Sequence, residues 1–191
     1  VEYKVGIGEA AFYGPKLDIQ CKNVHGKEDT LITIQIDQML SKKFGMEYVD
    51  RDGQKKNPYI IHRTSIGCYQ RTLALIIEKF AGALPMWLAP VQIKVLPIGL
   101  DQHPYAEEVT AKLRAKGLRV ELDEREEKIG YKIREAQLQK VPYMLVLGAK
   151  EAAEGTVAVR DRKNGDAGCV PFEEFLARAV KETEEKYIEQ N

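Results

Sequence analysis

The spacing of apolar residues changes period along this chain. Between Thr30 and Asp37, Leu and Ile alternate with Thr and Gln, the period of two expected of a strand with one covered face. Tyr59 to Ile61 gives a second short strand. From Gly67 onward Tyr69, Leu73, Ile76, Ile77 and Phe80 recur at three- and four-residue spacing, which predicts a helix that stops near Gly82. Between these elements, Arg51 to Pro58 contains Asp52-Gly53 and reads as an exposed hairpin turn. Nearer the start, Gly14-Pro15 makes a tight turn between two strand-like runs and sets Tyr13 and Lys16 on either side of it.

After Pro90 the rhythm becomes strand, helix, strand. Gln92 to Ile98, Arg119 to Leu122, Tyr143 to Leu147 and Val157 to Arg160 read as strands. Pro104 to Lys116, Ile129 to Gln139 and Phe172 to Glu189 read as helices. Such alternation predicts a partly parallel sheet with helices on its faces. Two prolines bracket the apolar segment Leu84-Pro85-Met86-Trp87-Leu88-Ala89-Pro90, so the expected domains are 1–88 and 89–191.

Composition narrows the class without naming a function. Of 191 residues, 44% are apolar and 30% charged, an ordinary globular profile, and no apolar run reaches the length of about 20 that a membrane helix needs. Three scattered cysteines, Cys21, Cys68 and Cys169, make no disulfide framework and fit a reducing compartment, so a cytoplasmic location is expected. The formal net charge is zero, with 12 basic and 10 acidic residues in 1–90 and 17 and 19 in 91–191. Any RNA contact must therefore come from a local arrangement of side chains. The opening Val1-Glu2-Tyr3-Lys4 lacks Met, and the chain is expected to be a piece of something longer.

Chemistry concentrates in Ile60 to Arg71. A glycine beside small residues lets a ligand approach the backbone, and Arg71 falls on the first turn of the following helix. A helix N-terminus joined to a guanidinium is a sound phosphate site, although position alone favours a surface arginine paired with a carboxylate. His62 at a strand end is, in isolation, more often a hydrogen-bonded core histidine than a ligand. Cys21 and His25 lie on strand and turn, where no helix brings them together to hold a metal. His103 reads as a helix-entry residue, and Cys169 as buried and inert.

Four separated segments resemble threonyl-tRNA synthetases over about Gly6 to Lys181. Ala11-Phe12-Tyr13-Gly14-Pro15-Lys16 is similar to a signature of that family. His62 to Arg71 resembles motif 3 of class II synthetases in its threonyl form. Trp87 to Gln92 is similar to the junction into the class IIa anticodon-binding domain, and Glu127 to Glu135 with Val141 to Val146 resembles that domain's core. The resemblance implies an α+β chain: part of the class II antiparallel sheet with helices, then a mixed-sheet α/β anticodon-binding domain. It also implies an enzyme that activates threonine with ATP and Mg2+, transfers it to tRNA(Thr), and works as a homodimer away from membranes.

By that resemblance Arg71 meets the ATP phosphates and Lys16 stabilises carboxylate or phosphate charge. Tyr13, Thr33 and Gln35 line the substrate pocket, and His62 is one of three ligands to Zn2+, the other two expected upstream of Val1. Without the family, Tyr13, Lys16, Thr33 and Gln35 read as a polar sheet face in water. Glu126, Lys150, Glu151 and Arg160 resemble readers of anticodon bases, with Lys128, Lys132 and Arg134 facing phosphates. There are departures: Gln70 replaces the Glu usual before the motif 3 arginine, Glu126 stands where Asn is often found, and motifs 1 and 2 are absent. The piece alone is therefore expected to be inactive. A non-catalytic tRNA-binding module derived from such an enzyme, and a different class IIa synthetase, stay open at this point.

Overall fold

The computed structural model describes residues 2–188. They fall into two compact units that divide between Lys79 and Phe80.

In the first unit, β1 (Lys16–Lys22) and β2 (Glu28–Asp37) form an antiparallel hairpin. Asn23 closes its turn, its Oδ1 accepting from the backbone N–H groups of His25 and Lys27. After α1 (Leu40–Lys43) comes a small hairpin of β3 (Tyr48–Val49) and β4 (Lys55–Lys56), built on the expected Asp-Gly turn with Gly53 at φ +76°. β5 (Ile60–Arg63) returns to the free edge of β2, so the sheet order is β1-β2-β5, all antiparallel. α2 (Tyr69–Phe80) follows. Only one of the two runs flanking the Gly14 turn is a strand. Residues before it make turns and a single bridge between Ala11 and Gly14.

The pairings Lys16↔Gln35, Asp18↔Thr33 and Gln35↔His62 set these side chains on one face, because directly opposed residues point the same way. Leu17, Ile19, Ile34, Ile36 and Ile61 take the other face by the same alternation.

The second unit runs β6 (Ile93–Pro97), α3 (His103–Ala115), β7 (Val120–Leu122), α4 (Ile129–Leu138) and β8 (Tyr143–Leu147). It continues with α5 (Ala149–Glu154), β9 (Thr156–Asp161), β10 (Gly165–Pro171) and α6 (Phe172–Glu184). The sheet order is β10-β9-β8-β6-β7, with β7 and β8 parallel to β6, and β9 and β10 antiparallel. Its main core joins Ile93, Val95, Leu145, Leu147, Val157 and Val159 to α3 and to Phe172, Phe175 and Leu176 of α6. A smaller core on the opposite face joins Leu96 and Met144 to Ala136 of α4. Each large apolar side chain so buried stabilises the fold by about 1.5–3 kcal/mol relative to exposure.

The closing helix ends at Glu184 rather than Glu189, since Lys186 turns to φ +50°. Glu189 lies outside the described residues. Cys169 is exposed, not buried: β10 is an edge strand with an irregular register between Asp166 and Cys169. No helix among the described residues is long and apolar enough to cross a membrane.

The proline-bracketed segment is held by the second unit. Arg119 donates to the carbonyls of Ala89 and Trp87, both at 2.9 Å, and Arg162 to those of Ala83 and Leu84. The buried Gln92 amide donates to Met86 and Thr183 and accepts from the Arg119 N–H. Backbone in an irregular segment needs partners when buried, and these three side chains supply them.

Candidate functional site

The polar face of the first sheet is a connected array. Tyr13 Oη donates to Gln35 Oε1 at 2.6 Å, and the Tyr13 ring meets the His62 imidazole edge-on at 6.1 Å. Lys16 Nζ donates to Asp18 Oδ2 at 2.6 Å, while Thr33 Oγ1 donates to Asp18 Oδ1 at 2.8 Å. His62 Nε2 lies 3.2 Å from Asp37 Oδ2. Tyr13, Lys16, Thr33, Gln35 and His62, five residues singled out in the sequence, are therefore gathered on one surface. Gly14 makes the approach of Tyr13 possible. Its φ is +154°, and a Cβ there would collide with the Ile36 carbonyl.

Asp18 and Asp37, the array's carboxylates, were not singled out in the sequence. Each lies two residues along a strand from a chosen partner, Lys16 or Gln35, so alternation alone marks them. The hydrogen bond that Lys16 donates to Asp18 holds the Lys16 ammonium above its ordinary pKa, and the same bond keeps Asp18 below its own. For Asp37, burial pushes the carboxyl up, but the N–H groups of Leu40 and Met39 and the His62 ring outweigh this, and it stays low. A carboxyl depressed in the folded state contributes stability above the ordinary carboxylate range and loses it as pH falls through its folded pKa. Amide exchange across β2 and β5, followed from about pH 7 to about pH 3, should therefore show loss of protection on the acid side. Asp37→Asn should flatten that loss, and an unchanged acid limb would refute the assignment.

Arg71 stands apart from this array. Its Nη1 donates to the Thr30 carbonyl at 3.1 Å, three residues along β2 from Thr33, or about 10 Å at the rise of an extended strand. Gly67 sets this geometry, with φ +74° and a Cβ position blocked by the Leu31 carbonyl. His62 is the single imidazole of the array, and no three His, Cys, Asp or Glu side chains among the described residues could hold a metal. The donor set among the described residues does not fit Zn2+.

In the second unit the chain leaves β6 through α3 towards β7, then crosses by α4 on the opposite face to β8. Connections depart in opposite directions from the C-terminal ends of β6 and β8, which leaves a crevice there, the usual ligand position of such sheets. Ile98 N–H donates to the Leu147 carbonyl at its floor. The loop after β7 brings Glu126 to this edge, and α5 brings Lys150 and Glu151. Glu126 and Lys150 are exposed. Glu151 Oε2 accepts from the Gly148 N–H at 2.8 Å, capping its own helix.

Arg160 is set back on β9, opposite Met144, on the face that carries α4. Its Nη1 lies 3.6 Å from Asp166 Oδ2, and its buried Nε makes no hydrogen bond among the described residues. Lys128 and Arg134 are exposed, but Lys132 is not. It is 2% exposed, and its Nζ donates to the carbonyls of Pro97 at 3.1 Å and Asp123 at 3.2 Å. It cannot face a phosphate, because it closes the ends of β6 and β7. Its spacing from Ile129, Ile133 and Ala136 already marks it as inward-facing.

One cluster beside Glu126 has no counterpart in the sequence reading. Arg125 donates through Nε and Nη2 to the two oxygens of Asp123, at 2.9 and 2.7 Å, and through Nη2 to Glu135 of α4 at 2.6 Å. Its guanidinium lies 5.9 Å over the Tyr131 ring. The Arg125 hydrogen bonds hold both carboxyls below their ordinary range, and Glu135 in turn holds the Tyr131 hydroxyl up.

Comparison with known proteins gives these two units a class. Residues 3–80 match the family model described as tRNA synthetase class II core domain (G, H, P, S and T), and residues 92–182 match the anticodon binding domain. The chain thus joins part of a class II aminoacyl-tRNA synthetase core to an anticodon-binding domain. A threonine–tRNA ligase of Clostridium perfringens is 62% identical over 95% of the chain, and one of Caldanaerobacter subterraneus is 48% identical over 97%. The crystal structure of the RNA binding domain of threonyl-tRNA synthetase from Cryptosporidium parvum superposes with a TM-score of 0.80 at 35% identity, covering 91% of this chain and 44% of that one. The chain belongs to the threonyl-tRNA synthetase family, and it spans 28% and 29% of the length of the two ligases.

Proposed function

We propose that these residues serve a threonine–tRNA ligase, with the first unit forming one wall of the threonine and ATP pocket and the second reading the anticodon of tRNA(Thr). Activation joins a threonine carboxylate oxygen to the α-phosphorus of ATP. The bond to the bridging oxygen breaks, and pyrophosphate leaves with the electron pair and its Mg2+. A ribose hydroxyl of the tRNA 3′ end then attacks the carbonyl carbon of the adenylate, the bond from that carbon to the phosphate oxygen breaks, and AMP leaves with the electron pair while the hydroxyl gives up its proton. In this scheme Lys16 and Arg71 meet negative charge at the two ends of the pocket wall. Tyr13, Gln35 and Thr33 offer hydroxyl and amide groups to the amino acid and the adenosine. Such chemistry belongs in the cytoplasm with the translation machinery, and the homodimer of the family is part of the proposal. We retain 1–88 and 89–191 as the functional modules, although the segment before Leu88 packs with the second.

The observation that carries the reading is the edge of the second sheet. Glu126, Lys150 and Glu151 lie on the segments that follow the C-terminal ends of its parallel strands β7 and β8, within a domain of the anticodon-binding class. Carboxylates and cations there suit the Watson–Crick edges of unpaired bases. Arg160 offers the partly exposed Nη end of its guanidinium, beside Asp166.

Binding of stem-loop RNA to the 191-residue chain tests this. A loop carrying a threonine anticodon, which ends in G-U, should bind more tightly than one with either base changed. The expected preference is about tenfold per base. Arg160→Ala should weaken cognate binding by a similar factor. Equal affinity for all loops would refute the reading.

A further inference from the structure

We propose that Arg125 is a positioning residue for RNA recognition: it fixes the loop between β7 and α4 so that Glu126 is presented to a base, without itself touching RNA. The inference rests on the anticodon reading above. The loop has little else to define it. Asp123 N–H still bonds the Val95 carbonyl, and helical bonds resume only when Tyr131 and Lys132 donate to Lys128. Between them, the recorded backbone N–H bond is from Arg125 to Asp123 Oδ1 at 3.3 Å. Among the described residues, the bonds between Arg125 and Asp123 are therefore what holds Glu124 to Glu127 ahead of the helix.

That side chain is well suited to the work. A guanidinium is planar and presents its donors as a rigid fork. Here two of them grip the nearly buried Asp123 carboxylate at the end of β7, and Glu135 of α4 closes the bridge from the other side. Asp123 is fixed in its turn, since Lys132 holds its carbonyl. Arg125 thus ties the last residues of a strand to a helix across the loop that carries Glu126. Its neighbour Glu126 is exposed and has no partner among the described residues.

Charge argues against direct phosphate contact by Arg125. Its cation is committed to two carboxylates, and Asp123, Glu124, Glu126 and Glu127 outnumber Arg125 and Lys128 in the loop. A phosphate approaching there meets net negative charge. A base edge with N–H donors meets the Glu126 carboxylate as an acceptor.

A double-mutant cycle on the 191-residue chain, read as binding of the threonine-anticodon stem-loop, separates positioning from contact. Arg125→Met and Glu126→Gln should each weaken binding about tenfold, and the double variant should bind no worse than either single one. Arg125→Lys keeps the charge but lacks the fork, and should behave like Arg125→Met. The slope of log Kd against log salt should stay unchanged, whereas loss of a phosphate contact would lower it by about 1. If Arg125→Met fails to fold, Glu135→Gln removes one arm of the bridge and should show the same non-additivity with Glu126→Gln. Additive losses, about a hundredfold in the double variant, or a reduced salt slope would overturn the proposal. So would a silent Glu126→Gln in a chain that still prefers the cognate loop. A wild-type chain with no such preference would instead overturn the anticodon reading beneath it.

Discussion

Lys132→Met is expected to lower the stability of the second unit by about 3 kcal/mol, because it strips the donor from two buried carbonyls. The Lys132 ammonium sits where β6 and β7 end, bonding Pro97 and Asp123 at 3.1 and 3.2 Å. Neither carbonyl is at a site where water replaces the lost bond freely, since Lys132 is almost wholly buried. Hydrogen bonds to a charged donor contribute about 1.5–3 kcal/mol each, and an orphaned buried acceptor costs about 1–3. Removing the ammonium also removes its own desolvation cost, which holds the net near the lower end of the sum. Methionine keeps the length of the stem, so a void adds little. Lys132→Ala adds the cavity and should cost about 2 kcal/mol more. Denaturant unfolding measures both. Equal stability of Lys132→Met and the wild-type chain would show that the carbonyls find other donors.

Lys132 also shows where the sequence misleads. A lysine among Lys128, Arg134 and several glutamates invites a surface reading, and only its helical spacing from Ile129, Ile133 and Ala136 argues otherwise. Charge is a poor guide to burial when a long stem can reach strand-end carbonyls. Cys169 fails for the converse reason, since a residue type that is usually buried sits on an edge strand without a covering element. The strands and helices with strong periods were legible. Tyr143–Leu147 has the predicted bounds, and the helix predicted from Pro104 begins at His103.

Other elements carried too little pattern to be read. α5 has six residues and no apolar period, and β10 is Gly165-Asp166-Ala167-Gly168-Cys169-Val170-Pro171, poor in strand formers. In the candidate site, alternation placed Thr33 and Gln35 on one face, but the acids that partner Lys16 and His62 were not seen. Their roles depend on cross-strand register, which a shift between Ile19 and Gln20 resets. The Arg125 bridge was invisible for a similar reason. It joins Asp123 to Glu135 through a guanidinium, and nothing in the linear spacing requires that contact.

The second large effect is expected at Gly67, where alanine should destabilise the first unit by about 3 kcal/mol or more. Gly67 and Gly53 have nearly the same positive φ, +74° and +76°. In that region a side chain costs about 1 kcal/mol through local sterics alone. Around Gly53 there is open space, so Gly53→Ala should lose about that much. At Gly67 an added Cβ would overlap the Leu31 carbonyl and press on its backbone, which belongs to the central strand of the sheet. β2 is tied to β1 on either side of Leu31, at Thr30 and Ile32, and cannot shift there without breaking ladder bonds, so the chain after Thr64 must swing away instead. The Thr64 hydroxyl then loses the Thr33 N–H at 2.9 Å, and Arg71 loses its anchor on Thr30. The expected signature is selective. Amide exchange should accelerate at Thr33, Gln35 and Asp37, whose N–H groups face the Thr64 and β5 side of β2, in Gly67→Ala, by more than a hundredfold for a loss of about 3 kcal/mol, and only several-fold in Gly53→Ala. Equal exchange in the two variants would mean that the close approach of Gly67 to β2 does not hold Arg71 in place.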